Sequence, residues 1–163
     1  MNNRFLEDLP MMKIIADSSA NISALEGVCF QSIPMTIRAG EREFVDDGTL
    51  DTAKMLDYLA SYNGKSGTAC PGLDAWLQAF SGADEIFVVT ITGALSGTCA
   101  SAVAARDLYL QSHPEAKIHV FDSLSTGPEM LLLIEKLADL IREGKSFDEI
   151  CKAGQDYLAS THL

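Results

Sequence analysis

At 163 residues, 47% apolar and 21% charged, the chain has the size and composition of one globular domain. That excludes a disordered, collagen-like or disulfide-scaffold polypeptide. Twelve Lys and Arg against 23 Asp and Glu leave a formal net charge of −11; nucleic-acid binding and adsorption to an anionic membrane both draw on clustered Lys and Arg, so both are disfavoured.

From the N-terminus, residues 1–11 read as a loose leader, because Met1-Asn2-Asn3-Arg4 lacks the apolar core of a signal peptide. Residues 12–163 read as one α/β domain. Met12–Ala16 is a short apolar run stopped by Asp17-Ser18-Ser19, a first strand. Ser32–Arg38 is a second, weakened by Pro34, and Phe44-Val45 a short edge piece. Asp51–Tyr62 carries Met55, Leu56, Leu59 and Tyr62 at helical spacing. The segment Ser66–Gly72 reads as a loop leading into a helix over Pro71–Phe80.

Glu85–Ile91 is nearly all apolar or β-branched without alternation, the pattern of a strand buried on both faces. An Ala-rich helix follows over Thr98–Gln111, ending before His113-Pro114. Lys117–Phe121 is another strand, stopped by Asp122-Ser123. Pro128–Glu143 is apolar all round in its first half, so a sandwiched helix is expected, with Gly144 as its stop. It meets Glu135 and Lys136 far short of the roughly 20 apolar residues of a membrane span, so no membrane insertion is expected. Ser146-Phe147-Asp148-Glu149 is a capping box that opens a last helix to about Leu158.

Strands alternating with helices predict a mainly parallel sheet with helices on both faces, a three-layer α/β fold. Ligands in such sheets bind beyond the carboxyl ends of the strands. Those ends carry Asp17-Ser18-Ser19, Thr92-Gly93-Ala94-Leu95-Ser96-Gly97-Thr98 and Asp122-Ser123-Leu124-Ser125-Thr126-Gly127. Hydroxyls and glycines before helix starts are ordinary caps and turns. Several at one edge also suit a small anion, held by hydroxyls and helix-end N–H groups.

Other chemistry finds little support. Gly93-Ala94-Leu95-Ser96-Gly97 places its serine one position late for a nucleophile elbow. His113, His119 and His162 are each better explained as structural or solvated than as a base. No phosphate-loop or dinucleotide fingerprint occurs, so no cofactor is expected. The acidic set Glu41, Glu43, Asp46, Asp47 and Asp51 lacks calcium-loop spacing and reads as a solvated loop. Cys29, Cys70, Cys99 and Cys151 lack a metal-binding or paired spacing, which favours reduced thiols and a cytoplasmic location. Cys70 and Cys99 lie near helix starts but have no paired base.

Four segments carry a resemblance to a known family: Lys13–Ala20, Phe44–Gly48, Gly67–Gly72 and Ile91–Thr98. With Phe121-Asp122-Ser123 and the helix from Ser146, their order and spacing resemble the N-terminal domain of the DegV family of fatty-acid-binding proteins. The resemblance implies that one long-chain fatty acid lies in an apolar tunnel between two α/β domains. It implies that Thr68 and Ser96 hold the carboxylate, and that some members present the lipid to a separate fatty acid kinase. The candidate ligand-binding residues are then Asp17, Ser18, Thr68, Ser96, Gly97 and Thr98, with no catalytic or metal-ligating residue assigned.

The sequence departs from the family where Ala69-Cys70 replaces the usual Ser-Gln and Gly72 replaces a serine. It ends about where the family enters its second domain, so weak lipid binding by this chain alone, or a homodimer over an exposed apolar groove, is expected. The alternative is a phosphotransfer or hydrolytic enzyme component using the same Ser/Thr-rich anion site, with Asp17, Asp122 or Cys70 as the base. A third reading is a regulatory interaction domain indifferent to Thr68 and Ser96.

Overall fold

Four strands align side by side in the computed structural model, which describes residues 10–161. They are β1 (Met12–Asp17), β2 (Cys29–Ile33), β6 (Glu85–Thr90) and β7 (Lys117–Asp122). All pair in parallel, in the order β2-β1-β6-β7. Strand β6 lies between two neighbours and under helices on both faces. All six of its residues are buried, which is why its sequence shows no alternation.

The two-residue period of the strands divides the core. Ile14, Ala16, Phe87, Val89 and Phe121 face one side, under α4 (Gly127–Arg142) and α5 (Phe147–Thr161). Ile15, Ile86, Val88 and Ile118 face the other, under α2 (Leu73–Phe80) and α3 (Thr98–Ser112). The three-layer α/β architecture is the one expected. In α4 the expectation of apolar contact all round fails: Met130, Leu133, Ile134 and Leu137 are buried, whereas Leu132 faces solvent. At the start of α5 the glutamate half of the capping box forms, the Ser146 N–H and hydroxyl both donating to the Glu149 carboxylate at 2.9 and 2.7 Å.

Two expectations need correction. The strand expected over Ser32–Arg38 is two strands: β2 ends at Ile33, and β3 (Thr36–Ala39) belongs to a second sheet. Pro34 has no N–H to extend the ladder, so the chain leaves the parallel sheet there. The segment expected as a helix-leading loop contains β5 (Ser66–Ala69), which pairs antiparallel with β3, Thr68 opposite Ile37. With β4 (Arg42–Val45) on the other side, the order is β4-β3-β5. Ser, Gly, Thr and Ala carry little strand signal; β5 owes its conformation to its partner. Helix α1 (Thr52–Ser61), expected over Asp51–Tyr62 and capped by the Asp51 side chain, packs on this small sheet. Its Tyr58 ring packs 5.7 Å from that of Phe44 and its hydroxyl donates to Ala39 O.

At the boundary of the predicted leader, the Met11 N–H donates to Asp84 Oδ2 at 2.9 Å, and its carbonyl accepts from Asp84 and Glu85 N–H. Leader residues 1–9, and His162, lie outside the described residues.

Candidate functional site

The hydroxyl-rich loops lie where the parallel topology puts them, at the carboxyl ends of β1, β6 and β7. Asp17 closes β1 and is fully buried. Its Oδ1 accepts from the Ser19 N–H and hydroxyl, and its Oδ2 accepts from the Ile91 N–H at 2.7 Å. Burial raises its pKa above the ordinary carboxyl value, against the hydrogen bonds from Ser19 and Ile91 that favour the charged form. Both oxygens therefore serve the protein's own donors: Asp17 fixes the start of the β6–α3 loop. Ser18 accepts from the Met35 N–H at 3.1 Å and lines a cleft of about 250 Å³ with Ser32, Pro34, Asp46 and Asp47.

The β6–α3 loop is built on Thr92, whose carbonyl accepts from the Leu95 and Ser96 N–H groups. Ser96 Oγ lies 2.8 Å from Thr98 Oγ1 and accepts from the Thr98 N–H at 3.3 Å. Thr98 is fully buried while Ser96 is half-buried, so the serine is the member of the pair that meets a visitor. Gly97 precedes α3 without a side-chain cap, leaving the first-turn N–H groups with their partial positive charge.

The Thr68 segment reaches the same place through a different sheet. A Cβ built on Gly97 would lie 3.6 Å from Cys70 Sγ, and the Ser101 hydroxyl of α3 donates to Pro71 O at 2.9 Å. Residues 70–71 thus pack against the start of α3. Thr68, two residues before Cys70, stands exposed on the edge strand β5. The structure brings the Thr68 segment and Ser96–Thr98 together and sets Ser18 in the neighbouring cleft. Clefts of about 250, 220 and 180 Å³ are lined by other residues than Thr68 and Ser96.

Two apolar side chains stand in this polar edge: Leu95 is 76% exposed and Leu124 is 56% exposed. Neither was among the residues the sequence singled out, because a lone exposed leucine in a loop is ordinary.

Of the three groups an enzymatic reading would need, Asp17 and Asp122 are committed elsewhere, and Cys70 is exposed. The Asp122 carboxylate accepts from the Gly93 and Leu124 N–H groups. Burial pushes the Cys99 thiol up, away from a reactive thiolate. His113 stacks on Tyr109, and His119 lies mid-strand in β7, where burial lowers its pKa. The acidic loop is partnered, with Glu43 paired to Arg38, Asp47 accepting from Thr49 and Asp51 capping α1. Among the described residues, no group of three or more His, Cys, Asp or Glu is placed to hold a metal ion. Nor is any helix there long and apolar enough to cross a membrane.

Residues 11–163 match the family model described as "Uncharacterised protein, DegV family". A DegV domain-containing protein of Streptococcus pneumoniae is 46% identical over 155 residues, 93% of this chain and 55% of that protein. A DegV family protein from Eubacterium eligens, loaded with heptadecanoic acid, superposes with a TM-score of 0.89 at 52% identity, over 91% of this chain and 54% of that one. The Streptococcus pneumoniae Fatty Acid Kinase (Fak) B3 protein, loaded with linoleic acid, gives 0.87 at 45% identity over the same shares. The chain spans about half the length of the curated relatives it matches.

Proposed function

The chain belongs to the DegV family, and from that membership we propose that it takes part in holding one long-chain fatty acid, as a carrier and not as a catalyst. The observation that carries this reading is the match at 52% and 45% identity to chains loaded with heptadecanoic and linoleic acids. The hydroxyls of Thr68 and Ser96 receive the carboxylate, with the Gly97 N–H before α3 as a further donor and Thr98 holding the Ser96 hydroxyl in place. Neutral donors fit a desolvated head group, because a buried counter-charge is costly unless fully paired. Asp17 and Ser18 support the site from β1, Asp17 by fixing Ile91.

The acyl chain supplies affinity at about 0.8 kcal/mol per buried CH₂, on the order of 10 kcal/mol for a C16 chain before the costs of binding. Leu95 and Leu124, exposed beside the hydroxyls, begin its apolar wall. The rest of that wall lies in the length of the relatives that this chain does not span. On its own, the 163-residue chain binds lipid weakly or covers the leucines with a second copy. In the cell we place the protein in the cytoplasm, presenting its lipid to a fatty acid kinase subunit that phosphorylates the carboxylate. An enzymatic role for the same loops is less well supported, because Asp17 and Asp122 are engaged with the protein's own N–H groups, which leaves only the exposed thiol of Cys70.

Denaturing mass spectrometry of the purified protein, taken at its relatives' full length, tests the reading. Fatty acid is expected in the wild type and depleted in the Thr68→Ala/Ser96→Ala variant. Its absence from both overturns the proposal.

A further inference from the structure

The β6–α3 loop carries Ser96, and its position is set from outside by the loop after β7. Three links join them. The Ser123 N–H donates to Thr90 O at 3.1 Å, the Thr92 N–H donates to Ser125 O at 2.9 Å, and the Gly93 N–H points at both Asp122 carboxylate oxygens at 3.1 Å. Only the last depends on a side chain. The same Oδ1 accepts from the Leu124 N–H at 3.0 Å, closing a turn in which Leu124 takes φ +55°. That left-handed conformation is uncommon for a leucine and persists where surrounding bonds hold it. One carboxylate therefore grips both loops, one carrying Ser96 and Leu95, the other Leu124. The grip needs a glycine opposite, since a Cβ at position 93 would come within 2.8 Å of Asp122 Oδ2.

We propose that Asp122 is a positioning residue of the head-group site, holding the Ser96 hydroxyl and the Leu95 and Leu124 side chains in the relative places that a fatty acid meets. The inference rests on the fatty-acid reading above. It predicts a sign opposite to plain electrostatics. A carboxylate near an anion site repels the ligand, so if charge were its only effect, removing it would strengthen binding. A positioning carboxylate does the reverse: without it, Gly93 and Leu124 lose their acceptor, and only the two backbone links still join the loops. Asparagine keeps one oxygen, and Oδ1 alone reaches both N–H groups, but its amide nitrogen would take the place of Oδ2, 3.1 Å from the Gly93 nitrogen, so it supports the geometry in part without the charge.

The test is a fluorescence titration of the delipidated protein, at its relatives' full length, with cis-parinaric acid, paired with amide hydrogen exchange of residues 91–98. Asp122→Ala is expected to weaken binding about tenfold, the scale of one lost hydrogen bond, and to speed exchange at Gly93. Asp122→Asn is expected to recover part of both, since Oδ1 still serves Leu124 and Gly93. Gly93→Ala, which displaces the carboxylate without removing it, is expected to copy Asp122→Ala and covers the case in which that variant does not fold. Unchanged or tighter binding by Asp122→Ala, or an Asp122→Asn variant as weak as alanine, overturns the positioning role while leaving the fatty-acid reading intact. A wild type that takes up no cis-parinaric acid, with the loop still protected from exchange, overturns the fatty-acid reading itself and the positioning role with it.

Discussion

Ser96 has two duties in this structure, and Ser96→Ala is expected to expose both. Its hydroxyl is the proposed contact for the ligand carboxylate, but it also pairs with Thr98 Oγ1 at 2.8 Å and accepts from the Thr98 N–H at 3.3 Å. Thr98 is fully buried at the start of α3, so truncation strands a buried hydroxyl and loosens a helix start. Loss of a helix-start hydroxyl costs about 1 kcal/mol and an orphaned buried polar group about 1–3 kcal/mol. The bond to the N–H is long, and the Thr98 hydroxyl can turn to another acceptor. The net cost is therefore at the low end, about 1–2 kcal/mol, which for a chain of this size lowers Tm by roughly 2–8 °C. Thr68→Ala makes the contrast. Thr68 is exposed on the edge strand β5, and its truncation should move stability by no more than about 0.5 kcal/mol.

The assay is thermal unfolding of both variants after delipidation, since bound ligand would stabilise the wild type by mass action. Ser96→Ala should melt below wild type and Thr68→Ala with it, while both lose fatty acid in a separate titration. A Ser96→Ala protein that melts at the wild-type temperature, or a Thr68→Ala protein that melts below Ser96→Ala, would refute the assignment of the structural duty to Ser96.

Two further outcomes follow from the core and from Asp17. A Cβ on Gly154 in α5 would lie 2.7 and 2.8 Å from the Phe121 ring and 3.0 Å from Leu137 Cδ2. Gly154→Ala gains up to about 1 kcal/mol of helix propensity but overpacks the sheet face, at about 1–3 kcal/mol; net destabilisation is expected in urea unfolding, and a stabilised variant would show that α5 can move away. Burial raises the Asp17 pKa, so the folded state binds this proton more readily than the unfolded one. Its favourable contribution is full below the unfolded value near 3.8 and is lost as pH rises through the folded value. Asp17→Asn lacks that titration, so its stability relative to wild type should improve from pH 3.5 to pH 7, and a difference that stays flat would show that Asp17 titrates normally.

The large-scale plan was legible because each part of it rests on local pattern. The apolar-rich runs at Met12–Ala16 and Glu85–Ile91, the helical spacing of Asp51–Tyr62 and the Ser146–Glu149 signature are read within a few residues of chain, and each gives its element where expected. Strand β5 was not legible, because Ser66–Ala69 has no strand propensity and is extended only by pairing with β3. The site was legible as a set of residue types at strand ends. Its internal roles were not: Asp17 reads as a ligand contact in sequence, yet both its oxygens face the protein's own N–H and hydroxyl groups.

The sequence by itself therefore determined the longer helices and strands β1, β6 and β7, the order of the α/β layers and the edge at which hydroxyls gather, since these follow from periodicity, capping and the direction of parallel strands. Tertiary structure decided which carboxylates were consumed in holding loops, that Pro34 turns the chain out of one sheet into another, and that Cys70 meets Gly97 across 27 positions of sequence. Those are contacts between residues far apart in the chain. No local preference encodes them, and they exist only once the two sheets have packed.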